Sequence, residues 1–107
     1  MITCNDKILV IAPHADDEVL GCGGTLARFS KYNNVQTAIC YVTSPYLPNW
    51  DINYIKNRNE EILKVKKYLS INKIFNLDFN AAQLSTVDQS SLANKISNVV
   101  NSYKPTV

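Results

Sequence analysis

Two hydrophobic periods alternate along the chain. Residues 7–12 (KILVIA) form a short, continuous, β-branched apolar run, the pattern of a strand covered on both faces. Residues 35–42 (VQTAICYV) repeat that pattern, and 73–77 (KIFNL) supply a third strand. Between these runs the apolar positions fall near the helical period. Val19, Leu20, Leu26, Ala27 and Phe29 provide the inner face of a helix expected over 17–32. After a loop containing Pro45, Pro48 and Trp50, residues Ile55, Ile62, Val65 and Leu69 do the same for a longer helix over 52–69. Thr86-Val87-Asp88-Gln89 has capping-box spacing, and Leu92, Ile96, Val99 and Tyr103 follow on one helical face. Lys104-Pro105 ends that helix, and Thr106-Val107 reads as the first step of a fourth strand.

The order β-α-β-α-β-α predicts an α/β fold: a three-layer, Rossmann-like parallel sheet with helices on both faces, reached here through about three βα units. Right-handed crossovers favour a doubly wound arrangement. With three strands alone the first would lie at a sheet edge, and an unpaired edge invites a homo-oligomer. In doubly wound sheets ligands bind beyond the carboxyl ends of the strands, where strand order reverses. That rule directs attention to the residues following Ala12.

Composition narrows the class. At 107 residues the chain is one domain or part of one, and 46% hydrophobic with 19% charged residues suits a packed core. A net charge of +2, with lysines scattered rather than interleaved with aromatics, gives no case for nucleic acid. No apolar run approaches membrane-spanning length and no signal sequence opens the chain, so no membrane span is expected. Cys4, Cys22 and Cys40 are odd in number and lack a C-x-x-C pair, the usage of reduced thiols in a cytoplasmic protein.

The chemistry concentrates in Pro13-His14-Ala15-Asp16-Asp17-Glu18. Three of the chain's nine carboxylates are consecutive here, beside its single histidine. Uncompensated, they would repel one another. A helix N-terminus offsets ~0.3–1 kcal/mol per group, which suits Glu18 but is small beside a trio. A divalent cation is a larger local charge, and imidazole with carboxylate is a common part-set of zinc ligands. Consecutive residues entering a helix point about 100° apart, so Asp16 and Asp17 would serve different roles. From these residues alone, a metal site and a capping cluster both stay open.

The segment APHADDEVLGCGGTLAR resembles the signature of the PIG-L/LmbE-like family of zinc-dependent N-acetylglucosaminyl deacetylases. RNEEILKVKKYL resembles that family's Arg-x-x-Glu helix, and YKPTV the approach to its next strand. Ala15 stands where the family usually has proline. The resemblance implies that His14 and Asp17 ligate Zn²⁺ and that Asp16 is the general base of metal-assisted amide hydrolysis. It makes Arg58 a candidate contact to an acetylated amino-sugar conjugate. It also calls for a third zinc ligand, a histidine that this chain does not contain. The chain is therefore expected to be the N-terminal portion of such a domain and inactive by itself.

Gly21, Gly23 and Gly24 lie too far past the strand for a phosphate cradle and are expected to serve close helix–sheet packing or substrate access. Arg58 and Glu61, three apart, could also be a surface ion pair. Tyr46 and Trp50 could line the pocket, although covering hydrophobic surface is the favoured expectation, and Ala81 occupies a position where the family often has an acid. A Mg-binding phospho-receiver domain is a rival built on Asp16, Asp17, Asp78 and Lys104-Pro105, although Lys104 follows a helical rather than a strand pattern. A non-catalytic self-associating unit is another.

Overall fold

The computed structural model describes residues 2–32 and 34–107. Strands β1 (Lys7–Ala12), β2 (Gln36–Ser44) and β3 (Lys73–Asn80) form a parallel sheet in the order β1-β2-β3. Helix α1 (Asp17–Phe29) connects the first two strands, α2 (Ile52–Tyr68) the next two, and α3 (Gln89–Tyr103) follows β3. β2 is central, and Thr37 through Thr43 are all buried, which explains its unbroken apolar run.

Alternate residues of the strands build two layers. Ile8 and Ala12 of β1 and Ile39 and Tyr41 of β2 pack with Leu26 of α1 and Leu69, and Cys22, Phe29, Ile62 and Val65 close the cluster. Helices α1 and α2 therefore cover one face. On the other, Phe75 meets Tyr103 of α3 edge-on at 6.0 Å, and the Lys95 ammonium sits 4.8 Å above the Phe79 ring. The sheet is thus sandwiched, as the alternating pattern predicts.

Thr106-Val107 pairs with the start of β1 without forming a strand of its own. Val107 N donates to Lys7 O (3.1 Å) and Leu9 N donates to Val107 O (2.9 Å), the slanted pattern of a parallel pair. The pairing lies on the side of β1 away from β2. β1 is the edge of the three-stranded sheet, as expected, and this contact covers the first part of its outer side. The His-Ala-Asp-Asp-Glu segment leaves the sheet at the carboxyl end of β1.

The outer side of β3 has no strand partner among the described residues. Its register slips by one residue between the Tyr41–Asn76 and Thr43–Phe79 pairs, a bulge in which Asp78 takes φ 58° and accepts from Ser44 Oγ at 3.1 Å. Bulges of this kind twist an edge away from further pairing.

Local boundaries differ from the pattern in three places. α1 ends at Phe29, short of residue 32, because Ser30 N donates to Leu26 O and Ser30 Oγ to Ala27 O, closing the last turn. β3 runs to Asn80, three residues past Leu77, because the bulge lets it keep pairing with β2. The capping box at Thr86 does not form. Thr86 lies in a 3₁₀ turn, Leu84–Thr86, with its hydroxyl donating to Gln83 O (2.6 Å), and Asp88 instead caps α3 by accepting from Ser91 N (3.2 Å).

Candidate active site

The site is built where β1 stops. Pro13 O accepts from both Thr43 N (3.0 Å) and Thr43 Oγ1 (2.8 Å), tying the exit of β1 to β2. Beyond that anchor the chain turns sharply into α1. Asp17 Oδ2 accepts from His14 N (2.9 Å) and stands 3.2 Å from His14 Nδ1, with both side chains about half exposed. Asp16 adopts φ 100° and ψ −30°, a conformation that side chains other than glycine rarely take and that costs on the order of 1–3 kcal/mol. That turn separates two adjacent carboxylates: Asp17 folds back onto His14, while Asp16 reaches toward α2.

There Arg58 meets Asp16. Arg58 Nη1 donates to Asp16 Oδ2 at 2.7 Å, Nη2 donates to the Tyr54 hydroxyl at 3.0 Å, and Glu61 lies at 3.5 Å. The Tyr54 hydroxyl, then the Asp16 carboxylate, push the guanidinium still further up from its ordinary value. Arg58 thus forms the surface pair with Glu61 and also enters the site. Asp16 Oδ1 has no hydrogen-bond partner among the described residues.

Glu18 departs most from expectation. Its place in the first turn of α1 suggests only a favourable interaction with the helix terminus. Instead it is 2% exposed, with Oε1 accepting from the Tyr41 hydroxyl (2.7 Å) and Oε2 from Asp16 N (3.0 Å). Burial, then the bond to Glu18, raise the Tyr41 hydroxyl far above its ordinary pKa. A sequence signal existed: a tyrosine inside a fully buried strand needs a partner for its hydroxyl.

A cavity of about 280 Å³ opens beside this turn, lined among others by His14, Tyr41, Trp50, Tyr54, Arg58 and Asn76. Trp50 therefore faces the site while its ring also packs against Tyr46 at 5.5 Å. Ala81 lines the same cavity. Of the two roles expected for the glycines, close packing finds no support: a Cβ at Gly21 or Gly24 would meet nothing within 4 Å, and one at Gly23 only Val19 at 3.5 Å. Close helix–sheet packing does not require them.

His14 and Asp17 suit a zinc ion as a part-set. Two donors each about 2.0–2.1 Å from one tetrahedral zinc stand roughly 3.3–3.4 Å apart, close to the separation observed here. Among the described residues no group of three or more His, Cys, Asp or Glu side chains converges, so two donors are what this segment offers.

A family model described as "PIG-L: GlcNAc-PI de-N-acetylase" matches residues 9–107. The chain belongs to the PIG-L family. Among solved structures, the PIG-L chain is similar to an N,N'-diacetylchitobiose deacetylase from Pyrococcus horikoshii complexed with its inhibitor (TM-score 0.79, 24% identity), covering 94% of this chain and 38% of that one. It is also similar to the conserved protein TT1542 from Thermus thermophilus (TM-score 0.70, 31% identity), covering 94% of this chain and 43% of that one. The chain thus spans less than half the length of either. Comparison with the curated proteins finds no match. The Rossmann-like α/β architecture agrees with the PIG-L fold.

PIG-L membership displaces the phospho-receiver rival. Lys104, which that reading would place at a strand end, caps α3 at φ 54°. No described helix is long and apolar enough to cross a membrane, and Cys4, Cys22 and Cys40 are all unpaired.

Proposed function

We propose that this chain supplies the first two zinc ligands and the general base of a hydrolase that removes the N-acetyl group from a GlcNAc-type sugar conjugate. The observation that carries the reading is the division of adjacent acids: Asp17 against His14 at 3.2 Å, Asp16 turned onto Arg58 at 2.7 Å. The chemistry a bound zinc supplies is polarisation of the acetamide carbonyl and acidification of water. His14 and Asp17 would hold the ion. Asp16 takes the proton of the attacking water on Oδ1, while Arg58 fixes Oδ2 and keeps the carboxylate facing the cavity. Arg58 also presents charge to the sugar or its appended group. Trp50 and Tyr54 give the cavity an aromatic wall against which an apolar sugar face can pack. A third protein ligand lies outside this segment, so the 107-residue chain alone binds zinc weakly and turns over no substrate.

Zinc titration and amine release from an N-acetylglucosaminyl conjugate, measured on the full-length gene product, test this. His14→Ala and Asp17→Ala should lose zinc; Asp16→Ala should keep zinc and lose hydrolysis. Full activity in Asp16→Ala, or unchanged zinc affinity in His14→Ala, would refute the assignment.

A further inference from the structure

We propose that Glu18 and Tyr41 are a buried positioning pair that sets the direction of the Asp16 carboxylate, an inference that rests on reading Asp16 as the base. Asp16 cannot hold its positive φ unaided, because its Cβ crowds the backbone there. Its carbonyl is held by the first turn of α1, accepting from Val19 N (3.1 Å) and Leu20 N (2.9 Å), and its N–H is held by donating to Glu18 Oε2 at 3.0 Å. Glu18 is in turn immobilised from the opposite side by the Tyr41 hydroxyl at 2.7 Å. Tyr41 is 2% exposed at the centre of β2, the most deeply buried strand, so it is a rigid post. A line of hydrogen bonds therefore runs from the sheet, through Glu18, to the backbone of the residue whose side chain faces Arg58.

A carboxylate makes the stronger pair. Its two oxygens accept from Asp16 N–H and from the Tyr41 hydroxyl at once, with the bond to Asp16 N–H charge-assisted. Glutamine could keep the geometry only by donating its NH₂ to the Tyr41 oxygen, which leaves Asp16 N–H a weaker, neutral bond. A glutamate chosen only for the helix terminus would stand in solvent and need no tyrosine. Buried and doubly bonded, Glu18 serves the turn.

The test is amide hydrogen exchange at Asp16 in Glu18→Gln, read with zinc affinity and steady-state kinetics of the full-length gene product on an N-acetylglucosaminyl conjugate. Loss of the charge-assisted bond should speed Asp16 N–H exchange about tenfold or more while Ile39 N–H in β2 stays protected. In the kinetics, kcat should fall by about tenfold, with KM and zinc affinity held within about twofold, since only the base is misdirected. Asp16 exchange equal to wild type in Glu18→Gln would overturn the positioning role whatever the activity. A wild-type protein that releases no acetate would instead refute the hydrolase reading, and the Asp16 exchange rate would still decide the role of Glu18. Should Glu18→Gln fail to fold, Tyr41→Phe removes only the hydroxyl: faster Asp16 exchange supports the pair, and an unchanged rate overturns it.

Discussion

Arg58 Nη1 donates to Asp16 Oδ2 across 2.7 Å, joining residues 42 positions apart. The contact links the middle of α2 to the turn after β1, and neither partner has the other in its local sequence. The Asp16 side chain is 63% exposed, so the ion pair adds little to stability, and under the proposed function its consequence is orientation.

Replacing Arg58 should accordingly separate stability from turnover. Arg58→Ala is expected to leave the thermal midpoint almost unchanged. A charged hydrogen bond worth about 1.5–3 kcal/mol in the transition state predicts a roughly 10–100-fold fall in kcat/KM in the full-length gene product. A fall confined to kcat identifies base orientation, and a rise confined to KM identifies sugar contact. Kinetics within twofold of wild type would dismiss both roles.

The start of α3 offers a clean comparison of two candidate caps. Asp88→Ala should destabilise the chain by about 1 kcal/mol, because Asp88 satisfies the N–H of Ser91. Thr86→Ala should cost less, since its hydroxyl serves only the preceding 3₁₀ turn. Urea denaturation of the two variants checks the order; the reverse order would restore the capping box.

Tyr103 packs edge-on against Phe75 and is 8% exposed, yet its hydroxyl has no hydrogen-bond partner among the described residues. An unpaired buried hydroxyl costs about 1–3 kcal/mol, so Tyr103→Phe should be neutral or stabilising in thermal denaturation. A loss of stability beyond about 1 kcal/mol would mean that the hydroxyl is bonded in solution.

Asp6 links acid stability to the Thr106-Val107 segment beside β1. Its carboxylate accepts from Thr3 N and from Thr106 Oγ1, and these bonds, the Thr3 amide first, hold its pKa below the ordinary 3.8. A depressed folded pKa means that the unfolded chain takes up the proton first. The contribution is therefore present above the unfolded value and is lost as pH falls through the folded one. Asp6→Asn should flatten the decline of the urea midpoint below about pH 4. A decline as steep as in wild type would exclude this group.

Much of the architecture was legible because it depends on local periodicity. Continuous β-branched runs such as KILVIA reveal buried parallel strands, and the spacing of Ile55, Ile62, Val65 and Leu69 reveals α2. Ends were harder to read. The capping atom of α3 depends on which of two neighbouring oxygens reaches a particular amide, and both Thr86 and Asp88 are good caps by residue type. Likewise the bulge that prolongs β3 arises from pairing with β2, which no pattern within β3 encodes.

For the site, the residue types and their order in Pro13-His14-Ala15-Asp16-Asp17-Glu18 were enough to indicate two distinct acids, because consecutive side chains at a helix start must diverge, and they left a metal site and a capping cluster both open until the family resemblance was added. Three things waited for the tertiary structure. The outer side of β1 gained a backbone partner only when Val107 came to lie beside it; Arg58 came to Asp16 only when α2 crossed the sheet; and Glu18 left solvent only when Tyr41 stood behind it. Each joins residues far apart along the chain, and the physical reason is common to all. Periodicity reports which face of an element is buried, whereas the partner of a buried polar group is chosen by how the elements stack.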